Sequence, residues 1–316
     1  MRLRRAATLL AAMVARGLTL LAAASVMIFL AAEALPGDAA EVRFGGRATP
    51  EQVAQIREAG GLDRPPHARY LDWLAGTLAG RPGHSYVTGR PVADLISERA
   101  PVTLLLAGAA LALACPAMPA LAWLAVRGPR RLRPVITVLV VGGAALPQVV
   151  VAAGLVALLS AAWGLVPPVS LLPAGAAPWQ HPHLLVLPVL TLALPSAAYG
   201  AALLRGVFAD VAALPFVRDA ELRGLSSLAV LLRYVLPMSA APLARLLAVI
   251  SGGLVAGTAV AETLFGLAGL GELLVTAVGV RDIPVVQAVA LLATAVVVCG
   301  LLAADGIARV TTGARA

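Results

Sequence analysis

Long apolar runs alternate with short polar stretches along most of this chain. Six runs are long enough to cross the hydrocarbon core of a bilayer as helices, which takes about 20 residues each. These runs are residues 7–34, 101–126, 134–163, 184–204, 242–265 and 283–304. The pattern predicts an all-α polytopic membrane protein with six transmembrane helices, because a helix satisfies its backbone hydrogen bonds within the bilayer.

The predicted spans divide the chain into three regions. Residues 1–34 hold a basic N-terminus and the first span, residues 35–100 form a long polar segment, and residues 101–316 hold the other five spans. The basic start followed by an apolar run resembles a signal peptide. The run is long, however, and no clear small-residue cleavage site follows it, so we expect a retained first membrane helix.

The long polar segment has its own helical signals. Thr49 and Gln52 have the spacing of a capping box at a helix N-terminus. Leu71, Leu74 and Leu78 share one face of a second helix. The segment is longer than most connections without a function, so we expect a helical cap on the outer membrane face that acts as a lid or docking surface.

Residues 216–237 form a charged island between the fourth and fifth spans. Its charged side chains are Arg218, Asp219, Glu221, Arg223 and Arg233. Each charge would cost roughly 3 kcal/mol at the centre of a membrane helix, so the island lies outside the bilayer. Gly224 interrupts its helical pattern and Pro237 ends it. We expect a short helix, a glycine turn and a second helix, within residues 206–240, that another protein can bind.

The arginines indicate which side of the membrane each loop occupies. On the side of the N-terminus lie 15 of the 24 arginines with four acidic residues, and on the other side lie nine arginines with 12 acidic residues. Short cytoplasmic loops are enriched in basic residues. The pattern predicts that both termini and the charged island are cytoplasmic.

Composition narrows the classes of function. With 60% hydrophobic and 13% charged residues, the chain is too apolar for an ordinary soluble enzyme, and its net charge of +8 reflects membrane sidedness rather than nucleic-acid binding. No GxxxxGK[ST] loop is present and lysine is absent, so any ATP has to be hydrolysed by a partner. No paired nucleophile and base are visible, which argues against an intramembrane enzyme, and no cofactor is predicted.

Sulfur and imidazole groups give no strong metal site. Cys115 and Cys299 lie in apolar runs and are interpreted as small buried hydrophobes. His181 and His183 flank a proline on the outer side, but two histidines without a carboxylate or thiolate make a poor metal site.

Five ordered blocks resemble one protein family. They read Leu-Pro-Gly-Asp, Ala-Thr-Pro-Glu-Gln, Gly-Leu-Asp-Arg-Pro, Tyr-Leu-Asp-Trp-Leu and Thr-Gly-Arg-Pro-Val, at residues 35–38, 48–52, 61–65, 70–74 and 88–92. The chain resembles a permease subunit of a bacterial ABC importer, in the oligopeptide/dipeptide/nickel branch of the binding-protein-dependent transport family. The resemblance resumes at Arg205 and continues to the end of the sixth span.

The resemblance implies an ABC type I importer fold and a function. The permease would move di- or oligopeptides inward, with nickel or another small solute as the alternative cargo. Its implied partners are a second homologous permease, two ATPase subunits, an extracytoplasmic substrate-binding protein and the lipid bilayer, without nucleic acid. A self-contained secondary transporter is the rival interpretation. It would need ionisable groups at mid-membrane, and the spans have almost none.

The resemblance also implies a site for coupling to the ATPase. The family signature reads Glu-Ala-Ala, three residues, Gly, and a downstream Leu-Pro. The matching residues and their neighbours are Arg218, Asp219, Ala220, Gly224, Leu225, Ser226 and Pro237. The peptide branch commonly has Arg-Thr-Ala at the first three positions, so only Asp219 departs from it.

A second implied site lies at the outer end of the fifth span. Glu262, Phe265, Gly269 and Gly271 match a family block that forms an outer gate and a re-entrant turn, although Ala268 stands where relatives carry proline. The alternative for Glu262 is an interfacial carboxylate that reaches the headgroups.

Two further stretches resemble the family more weakly. Residues 281–284, Arg-Asp-Ile-Pro, resemble the start of the last span, with a simple interfacial cap as the alternative. Residues 80–85 occupy the place of a Gly-Asp-Leu-Gly-x-Ser turn and have lost its Asp and Leu.

Overall fold

The computed structural model describes residues 2–34, 64–173 and 176–313. Every helix or strand element in these residues is a helix. The helices are α1 (Arg2–Glu33), α2 (Pro66–Leu78), α3 (Val92–Arg127), α4 (Arg133–Ala145), α5 (Gln148–Leu155, continued by a π-helix at Val156–Ala162), α6 (Pro182–Ala212), α7 (Pro215–Leu222), α8 (Ser227–Met238), α9 (Ala240–Phe265), α10 (Leu270–Gly279) and α11 (Ile283–Gly313). The all-α prediction is confirmed. The family blocks at 35–38 and 48–52, most of the block at 61–65, and the capping box at Thr49 lie outside the described residues.

Five of these helices are long and apolar enough to cross a membrane, and there are six if α4 and α5 count as one span. The predicted third span over 134–163 corresponds to two helices, because α4 and α5 meet at an angle of 115°. Pro147 stands at the break, and Leu146 before it is extended, with ψ 131°. A proline lacks the N–H that a continuous helix needs and disfavours helical geometry in the preceding residue.

The helix that holds the second predicted span is longer than that span, because α3 begins at Val92 and runs through Pro101. Asp94 and Glu98 mark residues that do not enter hydrocarbon, but a helix continues into water beyond the bilayer. The predicted boundary at residue 100 between cap and core therefore falls inside a helix. The fourth and sixth spans are likewise parts of longer helices, α6 and α11.

The chain forms two compact units, and the first comprises residues 1–103 and 268–299. In this unit α1 packs against α2 through Phe29, Tyr70 and Trp73, whose ring centroids lie 5.4 to 6.0 Å apart. The predicted stripe on α2 does not form the contact, since Leu71 and Leu78 are exposed. Leu74, the third residue of the stripe, is half-buried.

A loop before α3 is tied to the start of α11 within the same unit. Ser85 donates a hydrogen bond through its hydroxyl to one Asp282 carboxylate oxygen, and the Tyr86 N–H donates to the other at 2.9 Å. Burial raises the pKa of the Tyr86 hydroxyl above its ordinary value. The two weakly matching stretches of the sequence, 80–85 and 281–284, therefore meet. Asp282 is buried, which does not fit the simple interfacial cap.

The second unit comprises residues 104–267 and 300–316, and α6 is its central helix. This helix packs against α4, α5 and α9, and much of its length is buried. Gly200 permits the closest approach, because a Cβ placed there would lie 2.0 Å from the Met118 sulfur and 3.1 Å from Ile250 Cδ1. Met118 is itself fully buried, so it has little room to move.

Replacing Gly200 with alanine is expected to lower the free energy of unfolding by about 1–3 kcal/mol, the usual cost of overpacking a core. The measurement is chemical unfolding of the purified protein in detergent. The double variant Gly200→Ala/Met118→Ala removes the clashing side chain, so it should be less destabilised than the sum of the single variants. Additive effects would show that Met118 does not limit the space at this position.

Candidate functional site

The charged island folds as two short helices on either side of Gly224. The first helix, α7, buries Val217 and Ala220 completely, while Arg218 and Asp219 are exposed. This division follows from sequence spacing, because positions three apart share a helix face. The buried face holds α7 on the protein, and the charged face is free to meet a partner.

Gly224 closes α7 with a Schellman turn. Its N–H donates to the Glu221 carbonyl at 2.9 Å, and the Leu225 N–H donates to the Ala220 carbonyl at 3.2 Å. This arrangement needs a left-handed residue after the helix, and Gly224 has φ +83°. Ser226 then caps α8, because its hydroxyl accepts the Ala229 N–H at 3.3 Å. The predicted helix, glycine turn and second helix are confirmed.

Pro237 lies near the end of α8, which stops at Met238, and a π-helix at Leu231–Val235 precedes it. Only Ser239 separates α8 from α9. The predicted end of the segment is therefore correct to within one residue.

Leu222 is the most exposed apolar side chain of the segment, at 86%. Phe216 and Leu228 are also exposed, and the Phe216 ring lies 6.3 Å from that of Tyr234. These exposed apolar side chains were not among the residues predicted from the sequence, in which the charges marked the segment. The exposure of Leu222 could have been predicted from spacing, because Leu222 does not lie on the helix face that holds Val217 and Ala220.

At the other predicted site, Glu262 and Phe265 are both buried near the end of α9. Gly266 ends this helix with φ +72°, and the Leu267 N–H donates to the Glu262 carbonyl at 2.9 Å. The Ser170 N–H donates to the Phe265 carbonyl at 2.8 Å, which fixes the turn against the connector after α5. Full burial does not fit a Glu262 carboxylate that reaches the headgroups.

Gly269 and Gly271 belong to the first unit. Gly269 precedes α10 in an extended conformation, with φ −106° and ψ −175°, that any residue adopts. Leu270 beside it donates its N–H to the Thr103 hydroxyl at 2.8 Å, and Gly271 is buried. A role for these four residues in an outer gate remains a prediction.

In the described ranges, no three potential metal-ligating side chains come together. The His181 and His183 rings lie 5.9 Å apart.

Two family models match the chain over most of its length. Residues 117–312 match the binding-protein-dependent transport system inner membrane component, and residues 6–107 match the N-terminal part of the membrane component of such systems. The chain belongs to this family. This permease is the membrane subunit of an ABC importer, and its family implies ATPase and substrate-binding partners.

Curated relatives agree with this assignment. The permease is 34% identical to the glutathione transport system permease protein GsiC of Escherichia coli (strain K12) and of Shigella flexneri serotype 5b, over 273 residues. It is also 34% identical to the protein of the same name from Salmonella typhimurium (strain LT2), over 278 residues. Each match covers 85% of this permease and 85% of the relative. The permease is thus a multi-pass inner-membrane protein that transports solute and leaves ATP hydrolysis to other subunits.

Proposed function

We propose that this permease imports short peptides, including glutathione-like tripeptides, as one half of a pore formed with a second related permease. The relatives at 34% identity are named for glutathione transport, and glutathione is a peptide. Nickel or another small solute is the alternative cargo. Two ATPase subunits and one extracytoplasmic binding protein complete the proposed importer.

The observation that carries the proposal is the surface of residues 216–237. A fixed helix, turn and helix present Leu222, at 86% exposure, between the exposed Arg218 and Arg223. An exposed apolar side chain with charges beside it is the usual composition of a protein contact. Because the chain has no nucleotide-binding loop of its own, we assign this coupling surface to contact with the ATPase.

The remaining assignments depend on which side of the membrane each segment occupies. We assign both termini and the coupling surface to the cytoplasm, because short cytoplasmic loops are enriched in basic residues and these segments hold most of the arginines. Glu262 and Phe265 then lie at the outer end of α9, where Gly266 lets the chain turn, and they are assigned to an outer gate with Gly269 and Gly271. The segment 35–100 is assigned to docking of the binding protein or to a lid. ATP-driven movement at the coupling surface would switch the pathway between outward and inward access.

The test is uptake into proteoliposomes that hold the permease with its partner subunits and binding protein. We expect ATP-dependent uptake of glutathione or of a dipeptide probe, and no uptake of Ni²⁺. If Ni²⁺ is taken up with ATP and neither glutathione nor the dipeptide is taken up, the peptide assignment is wrong. Uptake by the permease alone, without ATPase subunits, would favour a secondary transporter.

A further inference from the structure

Arg127, the last residue of α3, contacts α7, which is the first helix of the coupling surface. Its Nη2 donates to the Ala212 carbonyl at the end of α6, at 3.0 Å. The same nitrogen lies 3.3 Å from the Glu221 carboxylate on α7. Both groups of the ion pair are about one-third exposed, so the pair is partly shielded from water. The guanidinium therefore joins the ends of α3, α6 and α7.

Trp123 contacts α8, which is the second helix of the coupling surface. Its indole N–H donates to the Ser227 hydroxyl at the start of α8, at 2.8 Å, across 104 residues of sequence. The ring is 5% exposed and packs edge-on against Phe208 of α6, with centroids 6.5 Å apart. A buried indole in this packing has few alternative orientations, so the hydrogen bond has a defined direction.

The two contacts come from one turn of one helix. Residues 123 and 127 are four apart and share a face of α3. Arg127 contacts α7, which precedes Gly224, and Trp123 contacts α8, which follows it. A glycine between two helices would by itself let them move independently. Because α7 and α8 are both held to the same turn of α3, they lose that freedom.

We propose that Trp123 and Arg127 are positioning residues that make α3 move together with the coupling surface. This inference rests on the proposed coupling function. A displacement imposed on α7 and α8 by the ATPases would pass through these two side chains into α3. Packed side chains and hydrogen bonds that connect rigid helices in this way can carry coupling between distant sites.

The experiment measures the distance between spin labels on α3 and α8 in the assembled importer. Cysteines replace the exposed residues Leu113 and Leu232, after Cys115 and Cys299 have been changed to alanine. Distances are compared between the nucleotide-free complex and the complex trapped with ATP and vanadate. With Trp123 and Ser227 intact, we expect the two labels to keep their separation.

Trp123→Phe removes the indole N–H and keeps an aromatic ring against Phe208, and Ser227→Ala removes the same bond from the other side. In either variant we expect trapping to shift the distance by about 2 Å or more, the scale of helix displacements in switching proteins. Trp179→Phe, in the connector before α6, is the matched control and should behave as the parent. An unchanged separation in both variants, or a shift already present in the parent, would overturn the inference. Loss of copurifying ATPase in both would also overturn it, because the contacts would then be needed only for assembly.

The result separates this inference from the function on which it rests. If Leu222→Asp leaves ATPase binding unchanged, the proposed coupling surface itself is wrong. If Leu222→Asp weakens ATPase binding but the labels stay fixed in Trp123→Phe and Ser227→Ala, only the role of α3 is wrong.

Discussion

Replacing Leu222 with aspartate is expected to weaken binding of the ATPase subunits by about 100-fold. Leu222 is 86% exposed in the permease alone, so its replacement should leave folding intact. In the complex, burial of a leucine side chain contributes about 1.5–3 kcal/mol, and an aspartate at the same position would instead have to give up its hydration. The measurement is the dissociation constant of the ATPase subunits for the permease in lipid nanodiscs.

The control for this prediction is Leu165→Asp. Leu165 is 67% exposed in the connector after α5, on the predicted outer side of the membrane. The same loss of apolar area and the same added charge should there leave ATPase binding unchanged. Equal binding by Leu222→Asp and the parent would contradict the assignment of the coupling surface, and equal weakening by both variants would point to a general loss of folding.

Replacing Gly224 with valine is expected to reduce substrate-stimulated ATP turnover of the importer by about tenfold or more. Gly224 has φ +83°, and a side chain in that left-handed region costs roughly 1–2 kcal/mol, most for a β-branched residue. Among the described residues other than its two chain neighbours, none has an atom within 4 Å of the position that a Cβ would occupy. The expected loss therefore comes from backbone conformation, which changes the angle between α7 and α8.

Gly224→Asn tests this cause directly. Asparagine tolerates the left-handed region better than other residues with a side chain, so turnover should stay close to that of the parent. The measurement is ATP hydrolysis in proteoliposomes with and without the loaded binding protein. If asparagine and valine reduce stimulation equally, the side chain itself blocks the contact, and the explanation from backbone conformation is wrong.

Local rules were sufficient for several parts of this permease. Hydrocarbon thickness fixes the length of a span, so apolar runs such as 242–265 located a helix that the structure has at Ala240–Phe265. The cost of a charge in hydrocarbon predicted that residues 216–237 lie outside the bilayer, and the structure has two short helices there rather than a long span. The preference of glycine for positive φ placed the turn at Gly224, because a Schellman turn depends only on neighbouring residues.

Prolines show where local rules stop. Pro188 and Pro195 remain inside α6, whereas Pro147 separates α4 from α5. Each proline frees a backbone carbonyl, and whether the helix survives depends on what the surrounding helices and side chains offer to that group. One sequence motif therefore has two outcomes, and the packing around it selects between them.

By itself, the sequence of this permease determined its class, most of its long apolar helices and the turn at Gly224, because each depends on a short stretch of chain and its solvent. Only the tertiary structure decided which distant groups meet. Ser85 and Asp282 are 197 residues apart, and Trp123 and Ser227 are 104 apart. Such pairs form because whole helices pack on one another, and no local pattern encodes the partner of a side chain across that separation.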